Sequence, residues 1–201
     1  MKKIGLIALI EAAFFAAMAL VLDLLPSLQL SPSISISFAM VPIFIIAFRW
    51  GFKVSFISGF LWGLLQIVTG DAAGSILHPL QGFLEYFVAF AFIGFAGLFY
   101  QPIHSAIKEQ KKLLLSVWII VAVFVGSLAR YFWHFLAGFI FWGHYAPEGV
   151  NAVLFSLVAN GTTMLGAFAL CSVVLVFLVG TAPRLIRRSD SAYPAANKKA
   201  S

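Results

Sequence analysis

The chain has 201 residues, of which 62% are hydrophobic and only 10% are charged, and its mean hydropathy is +1.03. A water-soluble domain normally carries about 25% charged residues, so this composition excludes a soluble globular protein and indicates that lipid surrounds much of the chain. The single cysteine, Cys171, excludes an intrachain disulfide and a cysteine-based zinc cluster.

Six apolar runs predict an all-α integral membrane protein with six transmembrane helices. A helix needs about 20 residues to cross a hydrocarbon core of about 30 Å, and the first, fourth, fifth and sixth runs are long enough. The second and third runs are short, but two positive charges and a glycine separate them, which predicts a turn between two helices. The runs are Ile4–Leu25, Phe38–Phe48, Val54–Val68, Pro79–Phe99, Leu113–Phe141 and Asn151–Thr181.

The segment Pro26–Ser37 between the first two runs is moderately apolar and begins with a proline. We expect the second helix to begin inside the membrane, so that this segment packs on protein or lines a cavity. The segment is therefore a candidate lid. A cleaved signal peptide is the alternative interpretation of residues 1–25, but Glu11 lies within the apolar run and no clean small-x-small cleavage site stands directly before Leu24-Leu25-Pro26.

The basic residues predict the orientation of the bundle. With the N-terminus inside, 12 of the 13 basic residues fall on the cytoplasmic side, and the remaining one, Arg130, lies in the fifth run. We therefore predict a six-helix transmembrane domain over residues 1–183 with both termini cytoplasmic, followed by a basic, disordered cytoplasmic tail over residues 184–201. Loops that face anionic lipid account for the net charge of +6, so no nucleic-acid partner is expected.

Polar residues in three of the predicted spans lie at one depth. Glu85, His134 and Asn160 each lie about 9–14 Å below the outer end of the span that carries them, at about 1.5 Å per residue. Arg130 lies one turn from His134 on the same helix face, and Gly138 and Trp142 continue that face outward. Ionisable groups inside a membrane are costly, so we interpret this layer as a binding site.

Each polar residue also has a structural interpretation. Glu85 and Arg130 could form a neutralising ion pair, and Asn160 could simply join two helices. Trp142 could belong to an interfacial aromatic belt. As a group, however, an anionic acceptor, a cation, an imidazole, an amide and aromatic rings suit a small planar heterocycle, especially a cationic one.

Several activities lack their sequence signatures. The dipeptide Gly-Lys does not occur, which excludes a phosphate-binding loop of the G-x4-G-K-[ST] type. There is also no H-E-x2-H zinc motif and no G-x-S-x-G nucleophile motif. We therefore expect no enzymatic activity, no metal site and no cofactor. A stand-alone channel or facilitator and an intramembrane enzyme that uses Glu85 and His134 remain as alternatives.

Three sequence patterns resemble the thiamine-specific substrate-binding (S) components of bacterial energy-coupling factor (ECF) transporters. The similarity extends from residue 11 to about residue 184. The patterns are His78-Pro79-Leu80-Gln81-x3-Glu85-Tyr86, Arg130-Tyr131-x2-His134-x3-Gly138-x2-Phe141-x-Gly143, and Ser156-Leu157-x2-Asn160 with Thr163-Met164.

This resemblance implies a vitamin-capture subunit of a bacterial plasma membrane that docks on a transmembrane coupling (T) component driven by two cytosolic ATPase subunits. Small residues on the first helix, Ala13 and Ala17, would form the docking face. Trp142 would stack on the aminopyrimidine ring of thiamine, which Glu85 and Asn160 would hydrogen-bond. Tyr86 and His134 would also contact the ligand, and Arg130 would orient Glu85 at the floor of the site.

Two positions depart from the pattern of the family. Relatives commonly have tyrosine where this chain has Phe155, and some carry a tryptophan in the first outer loop, where Pro26–Ser37 has none. The ligand could therefore be a thiamine analogue, a related pyrimidine precursor or another small vitamin.

Overall fold

Six helices form the body of the protein in a computed structural model that describes residues 4–31, 33–70 and 72–188. They are α1 (Leu6–Asp23), α2 (Val41–Trp50), α3 (Phe52–Val68), α4 (Pro79–Lys108), α5 (Lys112–Phe141) and α6 (Ala152–Thr181). A two-stranded hairpin, β1 (Leu28–Ser31) and β2 (Ile34–Ile36), joins α1 to α2. Short 3-10 turns occur at Ala73–Ser75, Gly143–Tyr145 and Pro183–Ile186.

Four of the helices, α1, α4, α5 and α6, are long and apolar enough to cross a membrane, which confirms those four predicted spans. Helices α4, α5 and α6 have 30 residues each, or about 45 Å, so they extend beyond a hydrocarbon core of about 30 Å. Helix α4 continues beyond the predicted end of the fourth span at Phe99, as far as Lys108. The sequence past Phe99 is polar enough to leave the hydrocarbon, but it also carries buried apolar residues such as Ile103 that keep it helical against the bundle.

The short helix α2 fills the centre of the bundle. Its first eight residues, Val41–Phe48, are all buried, which explains why its sequence is apolar on every side. At 10 residues α2 is about 15 Å long, or about half the thickness of a hydrocarbon core. The segment before α2 must therefore span the rest of that thickness.

The β1–β2 hairpin supplies that depth and was not predicted. Leu28 pairs with Ile36 and Gln29 with Ser35 in antiparallel register, so the strands satisfy each other's backbone groups. Ile36 lies against Gly166 of α6, where an added Cβ would come within 2.3 Å of its side chain. Gly166 is about 21 Å along α6 from its first residue. The segment therefore reaches deep into the bundle and packs on protein, as a loop at membrane depth must.

Helices α3 and α4 approach each other closely. A Cβ on Gly59 would lie 2.2 Å from the backbone oxygen of Phe90, and one on Gly63 would lie 1.6 Å from that of Tyr86. The Gly59-x3-Gly63 pattern is thus a helix-packing face. Helix α1 has a similar face of buried alanines, including Ala12 and Ala16, whereas Ala13 and Ala17 are exposed.

We call the end of the bundle where α2 and α6 finish the basic end. There Arg49 makes a two-point ion pair with Glu11 of α1, with distances of 2.5 and 2.8 Å. The indole nitrogen of Trp50 donates to the same carboxylate at 2.5 Å, and Arg49 also donates to the backbone oxygens of Leu185 and Arg187. One guanidinium therefore joins α1, α2 and the segment after α6.

The first residues of the predicted tail are part of this cluster. Ile186 is fully buried, and Arg188 donates to the backbone oxygen of Arg49 at 3.0 Å and lies over the rings of Trp50 and Tyr100. These contacts hold residues 184–188 on the bundle. From residue 189 onward, the predicted disordered tail lies outside the described residues.

Candidate functional site

Glu85 lies on an irregular turn of α4. The helix is α-helical over Pro79–Gly82, forms a π-helical turn over Phe83–Val88 and becomes α-helical again at Ala89–Phe92. Wide turns of this kind often occur at functional sites. The Glu85 carboxylate accepts a hydrogen bond of 2.5 Å from the side-chain nitrogen of Gln81. The indole of Trp142, at the end of α5, lies close enough to Glu85 to interact with its carboxylate.

Gln81 is a site residue that sequence reasoning did not single out. Its side chain is fully buried and makes three hydrogen bonds. Besides donating to Glu85, its nitrogen donates to the backbone oxygen of Ser75, and its oxygen accepts from the backbone nitrogen of Leu77. The four-residue spacing to Glu85 on one helix face was the available signal.

Arg130 does not contact Glu85 as expected. No salt bridge joins the two side chains, although both belong to the described part of the chain. Instead, the Nε of Arg130 lies 3.4 Å from the Nε2 of His134, and its guanidinium lies 4.2 Å from the centre of the Phe90 ring. The aromatic face therefore holds the cation through a cation–π contact, and the side chain that hydrogen-bonds Glu85 is that of Gln81.

Trp62 of α3 completes the support beneath Arg130. Its ring lies 4.5 Å from that of Phe90 and 4.9 Å from the guanidinium. Because Trp62 is fully buried, it is a core residue. One turn further along α3, the side chain of Gln66 donates to the Asp23 carboxylate of α1.

Asn160 and Gly138 meet where α5 crosses α6. The Asn160 nitrogen donates to the backbone oxygen of Ser156 at 3.1 Å and lies 3.2 Å from its hydroxyl, which itself donates to the backbone oxygen of Phe135. A Cβ on Gly138 would lie 2.2 Å from the Ser156 hydroxyl. Gly138 is thus required for close helix packing, which brings Asn160 next to the α5 face that carries His134.

Aromatic rings line the same region. His134 lies edge-on to Phe90 with 6.2 Å between ring centres, and Tyr86 lies 5.8 Å from Phe90. Nearer the end of α5, Trp142 lies 5.5 Å from Tyr145, and the His78 ring stacks on Phe141 at 5.5 Å with 19° between the planes. The arrangement combines hydrogen-bonding groups with flat apolar surfaces, which suits a planar ligand that carries polar edges.

The three predicted helices contribute to one cluster. Glu85 of α4 lies next to Trp142 of α5, His134 of α5 lies next to Phe90 of α4, and Gly138 of α5 contacts Asn160 of α6. We call this end of the bundle the site end. It lies opposite the basic end, because α4 and α6 begin here and α5 finishes here.

Comparisons with known proteins identify relatives over nearly the whole chain. A family model described as thiamine transporter protein matches residues 9–187. The thiamine transporter ThiT of Bacillus subtilis is 42% identical over 189 residues, covering 93% of this chain and 97% of that protein. ThiT of Lacticaseibacillus paracasei is 36% identical and covers 92% of each. A solved structure of ThiT from Listeria monocytogenes, 41% identical, superposes with a TM-score of 0.87 and covers 91% of this chain and 98% of that one.

Proposed function

Because this chain belongs to the thiamine transporter protein family, we propose that it captures thiamine at the site end and passes it to partner subunits that power its import. The family consists of transport proteins, not enzymes, and the chain is a multi-pass bacterial membrane protein. The finer proposal is that it is the S component of an ECF-type transporter.

The Glu85–Trp142 pair carries the proposal of thiamine as the ligand. The two side chains come from different helices and lie close enough to interact with each other. A carboxylate beside a large aromatic face offers both contacts that an aminopyrimidine ring needs, namely an acceptor for its amine and a surface on which to stack. In this proposal Trp142 stacks on the ring, Glu85 accepts from the exocyclic amine, and Asn160 hydrogen-bonds the ring from α6.

The other site residues have supporting roles in this proposal. Tyr86 and His134 contact the ligand from α4 and α5. Arg130 keeps His134 in place from below, and Gly138 lets Asn160 approach.

The proposed partners follow from the way the chain could obtain energy. The sequence has no phosphate-binding loop, and in this proposal ATPases supplied by other subunits drive import through a coupling protein. The exposed residues Ala13 and Ala17 of α1 provide a small-residue surface on which such a protein could pack closely. The positive-inside rule supports an orientation with the basic end in the cytoplasm and the site end outside.

A titration of the purified chain in detergent tests the proposal. Thiamine should quench tryptophan fluorescence with a nanomolar dissociation constant, and Trp142→Ala should remove the quenching signal together with most of the affinity. Failure to bind thiamine at about 1 mM, or about 4 kcal/mol of binding free energy, would refute it. Uptake into liposomes by the chain alone would instead identify a stand-alone facilitator.

A further inference from the structure

We propose that Gln81 is a positioning residue that determines specificity, because it holds Glu85 as a hydrogen-bond acceptor for the exocyclic amine of the ligand. This inference rests on the proposed capture of an aminopyrimidine such as thiamine. It assigns a role to a buried side chain that would not itself touch the ligand.

The hydrogen bonds of Gln81 use both ends of its amide. The nitrogen donates to Glu85 at 2.5 Å and to the Ser75 backbone oxygen at 3.1 Å. The oxygen accepts from the Leu77 backbone nitrogen at 3.0 Å. Since a primary amide has two N–H donors, both are used, and the side chain is fully buried.

These partners allow only one orientation of the amide. If the amide were rotated by 180°, its nitrogen would face the N–H of Leu77, and its oxygen would face the oxygens of Ser75 and Glu85. All three hydrogen bonds would then be replaced by contacts between like groups. The nitrogen and oxygen positions are thus assigned by the network itself, and Gln81 can only donate to Glu85.

Glu85 is consequently surrounded by donors. Gln81 donates from the same helix, and the indole of Trp142, whose polar group is an N–H donor, lies nearby at the end of α5. Neither group can accept a hydrogen bond in this arrangement. Both favour a Glu85 side chain that accepts, so a ligand beside it gains from presenting an N–H and loses from presenting an unprotonated ring nitrogen or a carbonyl.

The same hydrogen bonds fix the position of the carboxylate relative to the loop that precedes α4. Ser75 and Leu77 belong to that loop, and Ile76 between them packs on Gly82, where an added Cβ would lie 3.2 Å from its side chain. Gln81 therefore connects the loop to the acceptor. A substitution that removes the amide but preserves the volume should release the carboxylate without leaving a cavity.

The test compares two ligands in Gln81→Met, in which the side chain keeps its length but cannot hydrogen-bond. The ligands are thiamine and an analogue in which hydrogen replaces the exocyclic amine. We expect wild-type protein to prefer thiamine and Gln81→Met to lose about 10- to 100-fold in thiamine affinity, as for hydrogen bonds to charged groups. Affinity for the analogue should change less than about threefold. The preference for thiamine over the analogue should therefore fall by nearly the same factor as the thiamine affinity.

A matched control is Gln66→Met, which removes another buried glutamine whose amide donates to a carboxylate, that of Asp23. This variant should keep the wild-type preference between the two ligands. Gln81→Leu is a second test variant, because its side chain fills much of the same space but can neither accept from Leu77 nor donate to Glu85. It should also lose the preference.

The outcomes separate this inference from the proposed function. If wild-type protein binds neither ligand, the proposed function and the inference both fail. If wild-type protein prefers thiamine but both Gln81 variants weaken the two ligands equally, or weaken neither, Gln81 is only a structural residue and the inference alone fails. Thermal unfolding midpoints in detergent identify any variant whose losses come from misfolding.

Discussion

The backbone oxygen of Tyr86 occupies the place where a side chain on Gly63 would begin, since an added Cβ would lie 1.6 Å from it. Tyr86 follows Glu85 on the π-helical turn of α4. The glycine face of α3 therefore sets how closely the turn that carries Glu85 approaches the core of the bundle. The position of the proposed acceptor depends on a residue with no side chain.

Gly63→Ala should destabilise the protein by about 3 kcal/mol or more, because the extra methyl group can fit only if the α4 backbone moves. The thermal unfolding midpoint in detergent measures this effect. Gly161→Ala is the control, since an added Cβ there meets nothing within 4 Å. Equal stability of the two variants would mean that α3 and α4 are not packed this closely.

Much of the fold follows from sequence because hydrophobic length is a local property. The runs that ended near Val68, Phe141 and Thr181 coincide with the ends of α3, α5 and α6. The β1–β2 hairpin could not be predicted in this way, because its strands depend on contacts with α6 that arise only in the folded protein. The π-helical turn depends on one extra residue in a helical turn, which hydrophobic periodicity does not reveal.

The sequence predicts the depth of the candidate site residues in the membrane but not all of their side-chain contacts. Distance along a helix predicts that Glu85, His134 and Asn160 lie in one layer, and the segments that carry them lie toward the site end of α4, α5 and α6. It could not show which way each side chain points around its helix, so Arg130 was assigned to Glu85 although it lies on Phe90. Gln81 was overlooked because a polar residue near the start of a span ordinarily faces water or lipid headgroups.

Glu85→Gln should weaken thiamine binding by about 100-fold. The nitrogen of the new amide must face either the donating groups of Gln81 and Trp142 or the amine of the ligand. In both orientations one donor faces another donor, so a hydrogen bond is lost. Isothermal titration calorimetry gives the dissociation constant. Glu148→Gln, which removes an exposed charge from the α5–α6 loop, is the matched control and should bind as wild type does. Comparable losses in both variants would indicate a general effect of charge.

Gln81 and Glu85 should be energetically coupled. Dissociation constants for thiamine in Gln81→Met, Glu85→Gln and the double variant complete a double-mutant cycle. Because Gln81 acts through Glu85, we expect a coupling free energy of at least about 1 kcal/mol, with the double variant little weaker than Glu85→Gln alone. Additive losses would contradict a positioning role for Gln81.

Arg49→Met should lower stability by about 3 kcal/mol, because it leaves the Glu11 carboxylate without its cation in a largely buried place. The side chains of Arg49 and Glu11 are only 16% and 23% exposed. The unfolding midpoint in detergent should fall, whereas thiamine affinity should remain that of wild type in the folded fraction. Glu109→Gln breaks the exposed ion pair with Lys111 and should have no measurable effect. If Arg49→Met has the same unfolding midpoint as wild type, the cluster at the basic end does not stabilise the fold.

Ala13→Leu should separate binding from transport. Ala13 is exposed on α1, so a larger side chain there should leave folding and thiamine binding intact but prevent a partner helix from packing closely. Uptake of labelled thiamine by cells that supply the coupling protein and ATPases should fall at least about tenfold. Ala169→Leu adds the same side chain to an exposed position of α6 and should transport thiamine normally. Ala12→Leu should instead disrupt folding, because Ala12 is fully buried against α3. If Ala13→Leu transports as well as Ala169→Leu, the partner docks on another face, since a close helix contact at Ala13 could not accommodate the larger side chain.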